Sequence, residues 1–164
     1  MKAIQNIPSK IVDKTELLHM VYRWRLKGKK IAFTNGVFDI LHEGHIASIC
    51  EAASYADVLI VAINSDASVK RLKGPERPVH NQDARALMLA SMLMTDAIVV
   101  FEDDTPQSLI AGILPDVLVK GGDYTIEQIA GAKEVLAHGG EVKLAGIVEG
   151  VSTTNIIGRI RAGH

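Results

Sequence analysis

His42 and His45 stand three residues apart at the end of Thr34-Asn35-Gly36-Val37-Phe38-Asp39-Ile40-Leu41-His42-Glu43-Gly44-His45. Imidazoles at that spacing share one face of a helix. The segment follows an apolar strand pattern, Ile31-Ala32-Phe33, and runs into helix formers from Ile46 to Ala53. The first amides of a helix have no partner within it and the helix dipole adds positive potential, so such a strand-to-helix junction suits a polyphosphate. Two imidazoles beside it can donate hydrogen bonds to charge that builds during phosphoryl chemistry. Gly36 and Gly44 leave room for a base, ribose or phosphate against the backbone. A bare His-x-Gly-His string more often marks surface or capping histidines; the flanking residues reverse that in favour of the phosphate site.

Cations come next. Lys70, Arg71, Lys73 and Arg77 gather after a second apolar strand, in a chain whose formal net charge is only -1. A charge run is commonly a solvated loop, but at the carboxyl end of a strand these side chains can neutralise polyphosphate and a second phosphorylated substrate. Lys73 and Arg77 are the preferred contacts. Arg85, beside Asp83, fits either a substrate contact or a surface ion pair. Val117-Leu118-Val119-Lys120-Gly121-Gly122-Asp123-Tyr124 ends another apolar strand in a cation, two glycines and a polar pair. A tight turn accounts for the glycines; Lys120 at the ligand edge, with Asp123 or Tyr124 toward ribose or base, is the functional reading. Glu149-Gly150-Val151-Ser152-Thr153-Thr154 opens the last helix with three hydroxyls, which serve as caps or as donors to a β- or γ-phosphate.

Other chemistries lose support. Neither a G-x-G-x-x-G after the first strand nor a G-x-x-x-x-G-K-[ST] loop occurs. His19, His80, His138 and His164 lack the spaced Cys or carboxylate partners of a zinc site. Cys50 is the sole cysteine, so no internal disulfide forms, and its helical setting reads as a small buried hydrophobe. Met88, Met92 and Met94 read as core or subunit interface.

The elements that must position these groups alternate. Strands are expected over 30–35, 58–64, 97–101, 117–120 and 142–145, and helices over 45–55, 82–94, 106–113, 126–138 and 154–161. Residues 65–83 read as a polar loop over the site. An earlier helix starts at a capping Asp13 with Glu16 three residues on, carries Leu17, Leu18, Val21, Tyr22 and Leu26, and ends near Gly28. The expected fold is α/β: a doubly wound, Rossmann-like, parallel five-stranded sheet with helices on both faces and the ligand beyond the strands' carboxyl ends. At 164 residues, 48% hydrophobic, one domain over 1–164 is expected, with 1–28 as a helical extension packed on it. The balanced charge and seven aromatic residues argue against nucleic-acid binding. No signal segment or run of bilayer length is visible, so a cytoplasmic protein without membrane contact is expected.

Residues 34–45 resemble the signature T/S-x-G-x-F-D-x-x-H-x-G-H of the nucleotidyltransferase superfamily that includes cytidylyltransferases and small adenylyltransferases. With 65–79, 114–124 and 149–154 added, the chain resembles the heptose 1-phosphate adenylyltransferase family from about residue 29 to residue 161. Gln82-Asp83-Ala84-Arg85 departs from it, since members often carry Glu before the arginine. The resemblance implies a stand-alone form of an activity that many bacteria fuse behind a sugar kinase. The implied reaction is transfer of AMP from ATP, with magnesium, to D-glycero-D-manno-heptose 1-phosphate, the anomer being open. His42, His45 and Lys73 would be catalytic. Thr34, Asn35, Gly36, Val37, Phe38, Gly44, Lys120, Gly121, Asp123, Tyr124, Val151, Ser152 and Thr153 would bind nucleotide, with Ser152 and Thr153 on the leaving pyrophosphate. Asp39, Arg71, Arg77 and Arg85 would bind sugar phosphate, and Asp39 is also the one candidate contact for a magnesium ion carried mainly by the phosphates. A homodimer is the expected assembly. The alternatives are a cytidylyltransferase or adenylyltransferase for glycerol 3-phosphate or FMN, and a nucleotide-binding sensor without chemistry.

Overall fold

The computed structural model describes residues 6–122, 124–146 and 150–163. Runs of Ile, Val, Leu and Ala form β2 (Ile31–Gly36), β3 (Val58–Asn64), β4 (Ala97–Phe101), β5 (Val117–Gly121) and β6 (Glu141–Ala145), and β1 (Ile11–Val12) adds a short sixth strand. The sheet is parallel, in the order β1-β4-β3-β2-β5-β6. Six strands replace the five expected. Two residues are too few for a periodicity to be read, and β1 exists because its backbone pairs with Ile98 and Val99 at the edge of β4.

Side chains alternate across each strand, so the sheet buries both faces. Ile31 and Phe33 of β2, with Val58, Ile60 and Ala62 of β3, meet α1 (Lys14–Leu26), α5 (Gln107–Ile113) and α6 (Ala132–Ala137). Ala32, Leu59, Val61 and Ile63 face α2 (Glu43–Ser54) and α4 (Gln82–Ala90). Each fully buried Ile or Leu contributes about 1.5–3 kcal/mol. The Asp13 carboxylate caps α1 by accepting from the Glu16 amide at 2.8 Å, and Leu17 and Val21 of that helix are buried in the core. Residues 11–26 thus contribute both an edge strand and core side chains.

Three aspartates pin the amino ends of the strands. Asp57, just before β3, accepts from the Lys30 amide; Asp96, before β4, accepts from Leu59; Asp116, before β5, accepts from Ile31, all at 2.7–2.8 Å. Each satisfies a backbone donor that has no ladder partner at a strand start.

The expected loop over 65–83 is half helix. Residues Asp66–Lys73 form α3, capped by the Ser65 hydroxyl, which accepts from the Ser68 amide at 3.2 Å. Its helical face is narrow, with only Ser68 and Val69 buried and Leu72 half-exposed among mostly polar residues, which hides it from hydrophobic pattern reading. The expected helix 126–138 divides into a 3-10 turn at Ile126–Gln128 and α6, because Gly131 adopts a left-handed φ of 84° between them. Cys50 is exposed, not buried; on α2 it is Ile49 and Ala52 that face the sheet.

Candidate functional site

From β2 the chain steps outward to β3 and β4, then crosses to β5 and β6 on the other side, so β2 and β5 form the switch point of the sheet. A cleft of about 570 Å3 opens there. Thr34, Asn35 and Gly36 reach it from β2, Lys120 and Gly121 from β5, and α2 begins at its wall.

The His42 and His45 rings stack, with centroids 3.8 Å apart and planes 23° from parallel. His42 is the N-cap residue of α2 in an extended backbone conformation, and its side chain makes no capping bond. Both Nδ1 atoms are buried without a hydrogen-bond partner among the described residues. Burial pushes His45 down to about 4, the nearby His42 adds to that, and the Ile40 backbone opposes it. Burial also lowers His42, against the raising effect of Glu43. The pair is therefore neutral near pH 7.

Phe38 holds His45 in place. Its ring meets His45 edge to face, with centroids 5.2 Å apart at 63°. Phe38 has a left-handed φ of 50°, an uncommon conformation for a bulky residue. A Cβ on Gly36 would lie 3.0 Å from the Phe38 ring. Gly36 thus makes room for Phe38, where the sequence suggested room for a nucleotide.

Two lysines, Lys73 and Lys120, line the cleft, and the charge of one is felt by the other. Lys120 Nζ lies 3.3 Å from both the carbonyl and the side-chain oxygen of Asn35 and 5.5 Å from the centre of the Tyr124 ring. Burial lowers the Lys120 ammonium, and the charge of Lys73 lowers it further. Two cations that repel in a partly desolvated cleft hold a place for an anion between them. On another wall α7 (Thr153–Arg161) starts at Ser152, whose hydroxyl accepts from the Asn155 amide at 3.1 Å, and the Thr153 hydroxyl donates to the Ile40 carbonyl at 3.4 Å. A second helix N-terminus so joins the first at the cleft.

Asp39 and Arg85 act behind this surface. Asp39 is 1% exposed, and its carboxylate accepts from Arg77 Nε at 2.6 Å and from the amides of Val79 and His80. Burial alone would raise its pKa, but those three donors outweigh it and lower the value. The contact to sugar phosphate or magnesium read from the sequence gives way to this role, since both oxygens are already engaged. Arg85, read as a substrate contact or a surface partner of Asp83, is 0% exposed. It donates to the carbonyls of His80, Val37 and Asn64 and to Asp66 Oδ1, over 2.7–3.0 Å. One guanidinium so ties the histidine segment, the end of β3, α3 and the segment before α4 together.

Of the residues singled out from the sequence, Thr34, Asn35, Gly36, Val37, Phe38, Asp39, His42, Gly44, His45, Lys73, Arg77, Lys120, Gly121, Tyr124, Val151 and Thr153 line the cleft. Arg71, Arg85 and Ser152 do not. Arg71 turns to Asp104 and the Glu102 carbonyl, and the Ser152 hydroxyl is spent as a cap. Asp123 lies outside the described residues. Thr154, one of the three hydroxyls read as caps or phosphate donors, also lines the cleft, as does Gly122, read only as part of a turn; sequence reasoning missed Ser48, Asn64, Leu72, Asp104 and Gly146. Asn64 ends β3 and Asp104 follows β4, where the carboxyl-end rule already points, and Ser48 is one turn beyond His45. Among the described residues no three His, Cys, Asp or Glu side chains gather as a metal site, and no helix is long and apolar enough to cross a membrane.

A family model described as cytidylyltransferase-like matches residues 33–159, which span the histidine pair, both lysines and the start of α7. The chain belongs to the cytidylyltransferase-like family. It is 54% identical over 154 residues to the bifunctional protein HldE of Edwardsiella ictaluri, covering 94% of this chain and 32% of that protein. The HldE proteins of Mesorhizobium japonicum and Vibrio cholerae are each 52% identical, with 93% and 94% of this chain and 31% and 32% of theirs covered. The chain thus spans about a third of the length of the curated relatives it matches. Among solved structures, a lipopolysaccharide core biosynthesis protein from Thermoplasma volcanium has a TM-score of 0.62 at 22% identity, over 74% of this chain and all of that one. A pantoate-beta-alanine ligase from Francisella tularensis has a TM-score of 0.57 at 17% identity, over 90% and 75%. At such identities these two speak for the cytidylyltransferase-like fold alone.

Proposed function

We propose that this domain is a nucleotidyltransferase that moves AMP from ATP to D-glycero-D-manno-heptose 1-phosphate, giving ADP-heptose and pyrophosphate. The observation that carries the reading is the stacked, neutral His42–His45 pair, both Nδ1 atoms buried and without a partner among the described residues, in a cleft that two lysines also line. An unpaired buried polar group is costly, and a bound polyphosphate offers acceptors to the pair's N–H groups. The resemblance in 34–45, 65–79, 114–124 and 149–154 and the 52–54% identity to HldE proteins support heptose phosphate as acceptor.

A phosphate oxygen of the acceptor attacks the α-phosphorus of ATP. The new P–O bond forms as the bond from the α-phosphorus to the bridging oxygen breaks, and pyrophosphate leaves with that electron pair. The nucleophile is already an anion, so alignment and charge stabilisation suffice and no covalent enzyme intermediate is required. His42 and His45 donate to the α- and β-phosphate oxygens, Lys73 and Lys120 offset charge as it shifts, and Thr153 at the start of α7 holds pyrophosphate. Magnesium travels on the phosphates of ATP, in keeping with an Asp39 whose oxygens are already engaged.

Pyrophosphate release with ATP or CTP against heptose 1-phosphate anomers, glycerol 3-phosphate and FMN tests the reading. Turnover confined to ATP and a heptose 1-phosphate supports it and assigns the anomer. The CTP arm answers the family's description: turnover with CTP or another acceptor moves the substrate. Silence with every pair leaves a nucleotide-binding sensor. Sedimentation of the same sample checks the expected dimer.

A further inference from the structure

The cleft has two carboxylates among its described lining residues, Asp39 and Asp104. Asp39 is buried and saturated by Arg77 and two amides. Asp104 differs. It follows β4, is half-exposed, and has one oxygen, Oδ1, held by Arg71 through Nε at 2.9 Å and Nη2 at 2.8 Å. Arg71 is itself anchored on the Glu102 carbonyl. Oδ2 of Asp104 has no protein donor among the described residues.

A carboxylate is a poor neighbour for polyphosphate, so Asp104 needs a ligand portion that is uncharged and donates hydrogen bonds. Its neighbours define that portion. Leu72 lines the same cleft with its side chain half-exposed, an apolar surface for C–H groups. Lys73, next in the chain, lines the cleft too, and its charge is felt by Lys120. The cleft thus carries phosphate-attracting cations together with an apolar side chain and a hydroxyl-accepting carboxylate.

We propose that Asp104, held in orientation by Arg71, is a specificity residue that accepts hydrogen bonds from hydroxyls of the acceptor sugar while Lys73 takes its phosphate. This rests on the sugar-phosphate reading above. A carboxylate can accept from two vicinal hydroxyls, and hydrogen bonds to a charged group are the stronger kind. Acceptors with a phosphate but fewer hydroxyls gain nothing from it.

The test is steady-state kinetics of the wild type, Asp104→Asn and Asp104→Ala with ATP and the sugar 1-phosphate that the wild type turns over. Calorimetric titration of that sugar phosphate runs in parallel. KM and Kd for the sugar phosphate are expected to rise about tenfold to a hundredfold in Asp104→Ala, with KM for ATP unchanged. KM for glycerol 3-phosphate, or its Kd where turnover is absent, is expected to stay put. Unchanged KM and Kd for the sugar phosphate would overturn the proposal. So would parallel rises for ATP and acceptor, which mark a collapsed loop, or an altered magnesium requirement, which marks a metal contact. A wild type inactive with every sugar phosphate overturns the functional reading instead, and the titration still measures Asp104.

Discussion

At the amino ends of β2 and β3, polar backbone meets dedicated carboxylates: the amides of Lys30, Ile31 and Leu59 each find one at 2.7–2.8 Å. At the carboxyl ends of β2 and β5 the opposite holds: two imidazole Nδ1 atoms are buried without partners among the described residues, and Lys120, although bonded to Asn35, is destabilised as an ammonium by burial and by the charge of Lys73. One sheet therefore ends in self-sufficiency on one side and in unmet demand on the other. The lesson is that unmet demand marks the side that expects a ligand, since native proteins otherwise satisfy buried polar groups.

Arg85 should break this contrast most sharply, because it sits at the carboxyl edge yet is satisfied like the amino edge. Arg85→Ala leaves three carbonyls and Asp66 without their donor, and loss of about 3–5 kcal/mol of unfolding free energy is expected in denaturant titrations. Arg85→Lys, which cannot reproduce the fork, should recover only part of it. Next, His42→Ala and His45→Ala should each slow pyrophosphate release by about 10²–10³-fold, or about 2.7–4 kcal/mol in the transition state. Melting temperatures should hold or rise, because an unsatisfied buried group has been removed. A drop in stability without loss of turnover would show that the two edges do not differ as argued. Asp116→Ala should do the reverse. About 1–3 kcal/mol of stability is lost with the Ile31 amide orphaned, while turnover per folded molecule is unchanged.

The pH response is the most gradual effect. His45 titrates at about 4 in the folded chain against 6.5 ordinarily, so between those values the unfolded chain binds more protons. Stability should fall as pH drops through that window, and the slope should flatten in His45→Asn. Bound phosphates raise the imidazole's proton affinity, so ATP affinity should strengthen as pH falls toward that window, with proton uptake seen by calorimetry in buffers of different ionisation heats.

Much of this was legible in the sequence. Apolar runs placed five strands, β3 and β4 to the residue, and Asp13 and Glu16 marked the start of α1. The histidine pair, Lys73 and Lys120 were found because the residue types and the carboxyl-end rule agree on them. What stayed hidden depends on tertiary partners. The strand at Ile11–Val12 exists only through β4, and α3 has too few buried positions to show a stripe. Arg85 could not be told from a surface cation, because its four acceptors come from three distant segments and one nearby residue. Asp104 lacked a motif; it becomes visible only when Arg71 turns away from the cleft to hold it.

Gly36 and Phe38 form a single unit of variation. The left-handed backbone of Phe38 lays its ring where a Cβ at position 36 would stand, and that same ring steadies His45. Anyone reshaping this cleft by mutagenesis would meet two positions that each look immutable in single-site scans. Only libraries that vary both together can reach alternative solutions, such as a small side chain at 36 matched with a slimmer one at 38.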